Sequence, residues 1–289
     1  MDIIPEEASL GSRVTGIDLS KALDDTTFSE IENAWYERGV LVFPEQNLTD
    51  DQQVNFSRRF GELERLITAD IAGNPEIGLL SNVKADGSLW THKSEHGLFL
   101  EGNRGWHTDS SFKRVPAKAS LLSARRVPDS GGGTEFADMR AAYDALDADM
   151  QIWLEGKVAV HNYIYSQGLV GGLSVLSEDE QDALPPVEHA IVQTHPKTGR
   201  KSLYIGRHAS HILGEDEMES RALLQKLCED ACQAPRTFQP MWHEGDLVIW
   251  DNRCMLHRGH TWPGDQARVM ARTTIAGETA QTGDNEWNL

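Results

Sequence analysis

Apolar residues recur along the chain in two rhythms, one fitting helices and the other strands. After a short alternating run over Val14-Thr15-Gly16-Ile17-Asp18-Leu19, the residues Phe28, Ile31, Ala34 and Trp35 fall at helical spacing, with Asp25 as the predicted N-cap and Gly39 as the terminating glycine. Val40-Leu41-Val42-Phe43 is an unbroken apolar run stopped by Pro44, which predicts a buried strand. Thr49 and Gln52 have capping-box spacing and open a second helix through Val54, Phe56 and Phe60, closed by Gly61. From 62 to 105 the periodicity fades into glycine-punctuated polar sequence, which predicts a long irregular segment, either a lid over a site or a floppy excursion. Because it runs into His107, the lid is the favoured reading.

Short strands dominate the remainder. Ala119-Ser120-Leu121-Leu122-Ser123-Ala124 precedes a Gly131-Gly132-Gly133 turn, Thr134-Glu135-Phe136 and a helix from Met139 to Leu146. Val158 to Tyr163 reads as a strand, 165 to 187 as a loop, and 190 to 205 as a hairpin about Pro196-Lys197-Thr198-Gly199. Glu215 to Ala234 is an amphipathic helix carrying Leu223, Leu224, Leu227 and Ala231, and Leu247 to Trp250 and Val269 to Ile275 close the chain as strands. The pattern predicts a mainly β fold, a curled or double sheet with flanking helices, in a single domain over 1–289.

Composition narrows the partners. A chain of 289 residues buries a sizeable core, and 27 basic against 45 acidic residues, formally −18, disfavour nucleic acid and anionic membranes. An anionic ligand would have to be caught by a few local arginines. No apolar run has transmembrane length and the first residues lack a signal-peptide pattern, so the expected location is cytoplasmic. Cys228, Cys232 and Cys254 are too few for a disulfide framework and receive no role. A homo-oligomer is left open by the sequence, oligomers being common among soluble enzymes.

The chemistry begins at Trp106-His107-Thr108-Asp109. In extended backbone, residues two apart share a face, so His107 and Asp109 can converge on one metal ion. Downstream, the apolar run of Leu247 to Trp250 leads to His257. Two histidines and a carboxylate with the other positions open form the facial set of non-haem Fe(II) oxygenases, although zinc also tolerates such ligands. Arg268 and Arg272 lie on one face of the last strand and could serve two anions in that pocket, surface ion pairing being the alternative.

Taken in order, Trp106-His107-Thr108-Asp109, Gly131-Gly132-Gly133-Thr134-Glu135-Phe136, Asp138 to Leu146, His208-Ala209-Ser210-His211, Trp250-Asp251-Asn252-Arg253 with His257-Arg258, and the Arg268/Arg272 pair resemble the Fe(II)/2-oxoglutarate-dependent taurine dioxygenase family, and within it the enzymes that attack 2,4-dichlorophenoxyacetate. The resemblance implies a double-stranded β-helix, or jelly roll. It implies His107, Asp109 and His257 as iron ligands, Thr134 and Arg268 on the distal carboxylate of 2-oxoglutarate, and Arg272, Asn103 and His208 beside the substrate. Asp109 itself implies hydroxylation, since relatives that halogenate carry a small residue there. Glu64 to Ala69 offers none of the histidines or the tyrosine that contact taurine in the family. The expected reaction, using O2, is therefore hydroxylation of a small carboxylate, foremost an aryloxyalkanoate such as 2,4-dichlorophenoxyacetate, giving phenol, glyoxylate, succinate and CO2 without a separate acid or base residue. The rivals are the same chemistry on an alkyl sulfonate, an acylated amino acid or a natural-product intermediate, and a non-catalytic metal-binding jelly-roll module.

Overall fold

In the computed structural model, which describes residues 1–65, 74–90, 94, 97, 101–175 and 181–278, the apolar run Val40–Phe43 lies inside a seven-stranded sheet. Its spatial order is Asp2–Pro5, Ser12–Thr15, Val40–Phe43, Leu247–Asp251, Ala119–Arg126, Val269–Ile275 and Gly78–Ser81. Within it only Ser12–Thr15 and Val40–Phe43 run parallel. The middle of the sheet is buried on both faces, which is why Val40–Phe43 and the Leu247 to Trp250 run are apolar without a break.

Period-two alternation sorts those side chains into two cores. Leu41, Phe43, Leu121, Leu247 and Ile249 face Phe28, Ile31 and Trp35 of the helix Asp25–Arg38, together with Phe56 and Phe60. Val40, Val42, Leu122, Val248 and Trp250 face the other way and pack against Phe136 and Met255. Each such side chain contributes about 1.5–3 kcal/mol by leaving water. Phe136 and Met255 belong to a smaller sheet in which Thr134–Asp138 lies between Thr237–Phe238 and Met255–Gly259. A further sheet sets Val158–His161 between Ala209–Ile212 and Val187–Ala190, and a hairpin joins Val192–Thr194 to Lys201–Leu203. Leu224, Leu227 and Ala231 of the helix Glu217–Ala231 close this side. Two β layers with helices outside match the expected mainly β architecture.

Local boundaries depart from the sequence reading where a side-chain hydrogen bond decides them. Asp24, not Asp25, caps the first helix, its carboxylate accepting from the Thr27 N–H. Thr49 and Gln52 do form the capping box, but that helix ends at Ser57, before Phe60. Gly39 ends the first helix at φ 73° as expected, whereas Gly16 at φ 68° turns the chain just after the strand Ser12–Thr15 and cuts short the alternating run. The loop expected from 165 begins as the helix Tyr163–Gly168, because Asn162 Oδ1 accepts from the Tyr165 N–H and starts a turn where strand residues were read. The segment 62–105 contributes the edge strand Gly78–Ser81, and parts of the expected lid, including His92 and His96, lie outside the described residues.

Candidate active site

His107 and His257 form an isolated antiparallel bridge, each main-chain N–H donating to the other's carbonyl at 3.0 and 2.7 Å. The loop that delivers His107 is thereby locked onto the strand Met255–Gly259, and the two imidazole rings sit 4.1 Å apart. Thr108 turns away and its hydroxyl donates to the Asn252 carbonyl at 2.6 Å, so Asp109 returns to the side of His107 as alternation requires. Ser110 then takes a left-handed φ of 58° and ends the extended segment. The result is a buried group, His107, Asp109 and His257, whose ligand atoms all lie within 4.8 Å of one another.

The neighbours of this group set its protonation. The Nδ1 of His107 lies 2.8 Å from the Gly105 carbonyl and, as a donor there, leaves its Nε2 lone pair free. Burial pushes the His107 imidazole well below the usual histidine range, reinforced by His257, and burial brings His257 down to about 4 against the pull of Asp109. Burial alone would raise the Asp109 carboxyl, but Arg272 at 2.9 Å, with the two histidines, holds it below the usual carboxylate range. The Ser120 hydroxyl donates to its other oxygen at 2.6 Å. Neutral imidazoles and an ionised carboxylate are the forms that bind a divalent metal, so these residues fit Fe(II).

One cavity opens on His107 and His257 and runs to Thr134 and Arg268, walled by Trp250 and Trp262. Arg268 is 7% exposed, and among the described residues no carboxylate pairs with it. Burial lowers its guanidinium to about 10, and Nε donates to the Gly132 carbonyl at 2.8 Å. Gly132, at φ 65°, permits that approach, since a Cβ there would lie 3.1 Å from Arg268 Cδ. The Thr134 hydroxyl accepts from Trp242 Nε1 at 3.3 Å and keeps its own hydrogen for a ligand. A buried guanidinium without a counter-ion, beside a hydroxyl and at the end of a cavity, is a seat for a carboxylate. Surface ion pairing does not describe Arg268.

A second cavity reaches Asp109 from the other side and is lined by Phe112, Tyr163, Arg207 and His208. Asn103 and Arg272, both named from the sequence, border both cavities, with Arg272 already paired to Asp109. His208 is buried, and its ring stacks on Tyr163 at 5.8 Å. The sequence reading passed over Arg207. Its guanidinium donates to the carbonyls of Gly102 and Ser166, and no carboxylate of the described residues pairs with it. The signal was its place beside His208, but its approach to the loop before His107 depends on tertiary contacts. Cys228, Cys232 and Cys254 are free thiols, and the buried His195 pairs with Asp251 at 3.0 Å.

A family model described as taurine catabolism dioxygenase TauD, TfdA family matches residues 4–274. An (S)-phenoxypropionate/alpha-ketoglutarate-dioxygenase of Sphingobium herbicidovorans is 44% identical over 96% of this chain and 96% of its own length. An alpha-ketoglutarate-dependent 2,4-dichlorophenoxyacetate dioxygenase of Cupriavidus pinatubonensis is 44% identical over 90% of this chain and 92% of its own. The crystal structure of AAD-2 in complex with Mn(II) and N-oxalylglycine superposes with a TM-score of 0.89 at 40% identity, over 96% of this chain and 99% of that one. These relatives bear out the jelly-roll fold, and their dependence on alpha-ketoglutarate (2-oxoglutarate) agrees with the cofactors expected beside the clustered histidines and aspartate. The chain belongs to the TauD, TfdA family of dioxygenases.

Proposed function

We propose that this enzyme uses Fe(II), 2-oxoglutarate and O2 to hydroxylate a 2-aryloxyalkanoate, with 2-aryloxypropionates of S configuration and 2,4-dichlorophenoxyacetate as first choices. The observation that carries the reading is the placement of His107, Asp109 and His257 where two cavities meet, each cavity reaching a guanidinium that has no carboxylate partner among the described residues. His107, Asp109 and His257 would hold the iron. Arg268 and Thr134 would bind the distal carboxylate of 2-oxoglutarate; N-oxalylglycine, held with Mn(II) in AAD-2, shares its oxalyl head and distal carboxylate.

Arg207 and His208 face the second cavity and supply donors for the substrate carboxylate, while Phe112 and Tyr163, with rings 4.5 Å apart, offer an aromatic wall for the aryl group. Arg272 has two tasks, orienting Asp109 and lending positive charge to the substrate side. Asn103, with the described part of the 62–105 segment at Leu80 and Asn82, encloses the site, and we assign that segment the part of a lid. Bound together, Fe(II), 2-oxoglutarate and O2 supply the oxidising power for C–H hydroxylation, with 2-oxoglutarate decarboxylated to succinate and CO2. The protein positions the ether-bearing carbon, since near-attack geometry is its main contribution to rate. A hydroxyl on that carbon makes a hemiacetal or hemiketal that breaks into a phenol and glyoxylate or pyruvate. Three free cysteines and a requirement for Fe(II) suit a cytoplasmic setting.

The test is succinate formation by Fe(II)-reconstituted protein in the presence of 2-oxoglutarate, O2 and a panel of aryloxyacetates, both enantiomers of aryloxypropionates, and alkyl sulfonates. Stimulation by an aryloxy acid with one phenol released per succinate, abolished in His107→Ala, is the expected result. Stimulation by the sulfonates alone would move the substrate assignment to that class, and no succinate from folded, metal-loaded protein would leave a binding module.

A further inference from the structure

The substrate side of the site depends on two donors, and the short helix Tyr163–Gly168 holds both through one residue, Ser166. Ser166 is 1% exposed. Its hydroxyl oxygen lies 2.8 Å from His208 Nδ1 and 2.8 Å from the Tyr163 carbonyl, while its own carbonyl accepts from Arg207 Nη2 at 3.2 Å. The second guanidinium nitrogen, Nη1, donates to the Gly102 carbonyl on the loop leading to His107. One buried serine therefore touches the hydrogen-bonding groups of both residues that face the carboxylate seat.

The hydroxyl carries one hydrogen and has two acceptors within reach. If that hydrogen is given to the Tyr163 carbonyl, Ser166 Oγ accepts from His208 Nδ1–H, and the Nε2 presented to the cavity is a bare lone pair. If the hydrogen is given to Nδ1, the imidazole proton sits on Nε2 and faces the cavity as a donor. An ionised carboxylate only accepts hydrogen bonds, so its arrival selects the second arrangement without any change in net charge. The ring itself stays in place, stacked on Tyr163 and packed 5.1 Å from Phe112.

We infer that Ser166 is a positioning residue for the substrate: its hydroxyl sets the orientation and tautomer of His208 that offers Nε2–H to the carboxylate, and its carbonyl fixes Arg207 beside it. This rests on the aryloxyalkanoate reading of the second cavity. Tyr163, Arg207 and His208, the residues Ser166 hydrogen-bonds, line the second cavity and not the one that reaches Arg268, so the inference concerns substrate affinity and not the 2-oxoglutarate seat.

The experiment compares wild type, Ser166→Ala, Ser166→Thr and His208→Gln by KM for the aryloxy acid, KM for 2-oxoglutarate, kcat and thermal midpoint. In parallel, nitrogen-15 spectra of histidine-labelled, Zn(II)-substituted protein with bound acid report which imidazole nitrogen carries the proton. Ser166→Ala is expected to raise KM for the acid about tenfold and leave KM for 2-oxoglutarate within about twofold, with Ser166→Thr returning most of the loss. The bound wild type is expected to carry the His208 proton on Nε2. An unchanged acid KM in Ser166→Ala, alongside a raised one in His208→Gln, overturns the inference and leaves the reading of the cavity standing. Equal rises in both KM values with a lowered midpoint and no rescue by threonine also overturn it, as general packing loss. A proton on Nδ1 in the bound wild type rejects the tautomer. If no aryloxy acid stimulates turnover in wild type, the functional reading falls and the inference with it.

Discussion

Arg268 concentrates the residue-scale argument. A guanidinium 7% exposed, with no carboxylate partner among the described residues, has lost most of its hydration and from those residues gained the Gly132 carbonyl and the Trp262 face, 5.3 Å away, in return. Such a group is left poised for an incoming anion. Arg268→Gln keeps the hydrogen-bonding stem but removes the charge, and is expected to raise KM for 2-oxoglutarate by roughly 10- to 100-fold, the worth of a charged hydrogen bond. Arg268→Lys, a point charge without the planar fork, should recover only part. Steady-state kinetics with 2-oxoglutarate as the varied substrate checks this; an unchanged KM in both variants would remove Arg268 from the co-substrate site. The residue was legible in the sequence through its motif, but its lack of a partner was not, because pairing depends on which side chains the fold brings near.

At the scale of elements, the turn before Thr134–Asp138 does more than connect strands. Gly131 has φ 73°, and a Cβ there would stand 2.3 Å from the Thr261 carbonyl, main-chain against main-chain, with no flexible end to move aside. The adjacent Gly132 N–H donates to that same Thr261 carbonyl at 2.9 Å, and the Gly132 carbonyl holds Arg268. Gly131→Ala is therefore expected to cost about 1–3 kcal/mol, from the left-handed conformation and the displaced strand connection, and to weaken 2-oxoglutarate binding with it. Denaturant midpoints and 2-oxoglutarate KM measured on the same preparation test this, and a variant as stable as wild type with an unchanged KM would refute it. Strands and helix caps were read correctly where a single local signal decides, as at Thr49–Gln52 and Gly39. The helix Tyr163–Gly168 was missed because its one signal, Asn162, sat inside apolar sequence that reads equally well as strand.

Across the whole molecule, buried ion pairs tie the layers together and give stability a pH dependence. Asp251 ends the central strand Leu247–Asp251, accepts from His195 at 3.0 Å and binds Arg253 through both oxygens at 2.8 and 2.6 Å. Burial would raise its carboxyl, but the Arg253 contacts outweigh burial and bring it down to about 2. A folded-state value below the unfolded one stabilises at all pH above about 4 and is lost as pH falls toward 2. The contribution is on the order of 2 kcal/mol. Urea midpoints should fall over that window in wild type and lose this component in Asp251→Asn, which starts from lower stability at neutral pH. A parallel pH profile for the two proteins would discount the pair. Nearby, Arg140 and Asp138, each fully buried, join strand to helix, and Arg140 Nη1 also donates to the Tyr36 carbonyl at 2.9 Å. Arg140→Ala, which leaves the Asp138 carboxylate buried without its counter-ion and with main-chain N–H donors of residues 140 and 141 alone, is expected to cost about 3–5 kcal/mol by thermal or chemical denaturation.

The amino-acid sequence determined the β character of the core and the two apolar faces of its central strands, and its resemblance to the family named His107, Asp109, His257, Thr134 and Arg268 as site candidates. The first two are consequences of residue type and short spacing, which act before the chain has any long-range order. The tertiary structure decided what spacing cannot encode. The bridge that brings His107 to His257, the pairing of Arg272 with Asp109 while Arg207 and Arg268 meet no carboxylate among the described residues, and the meeting of two cavities at the clustered histidines and aspartate all join residues far apart in the chain. Burial and electrostatic partnership are properties of such encounters, and they exist only once both β layers have closed around them.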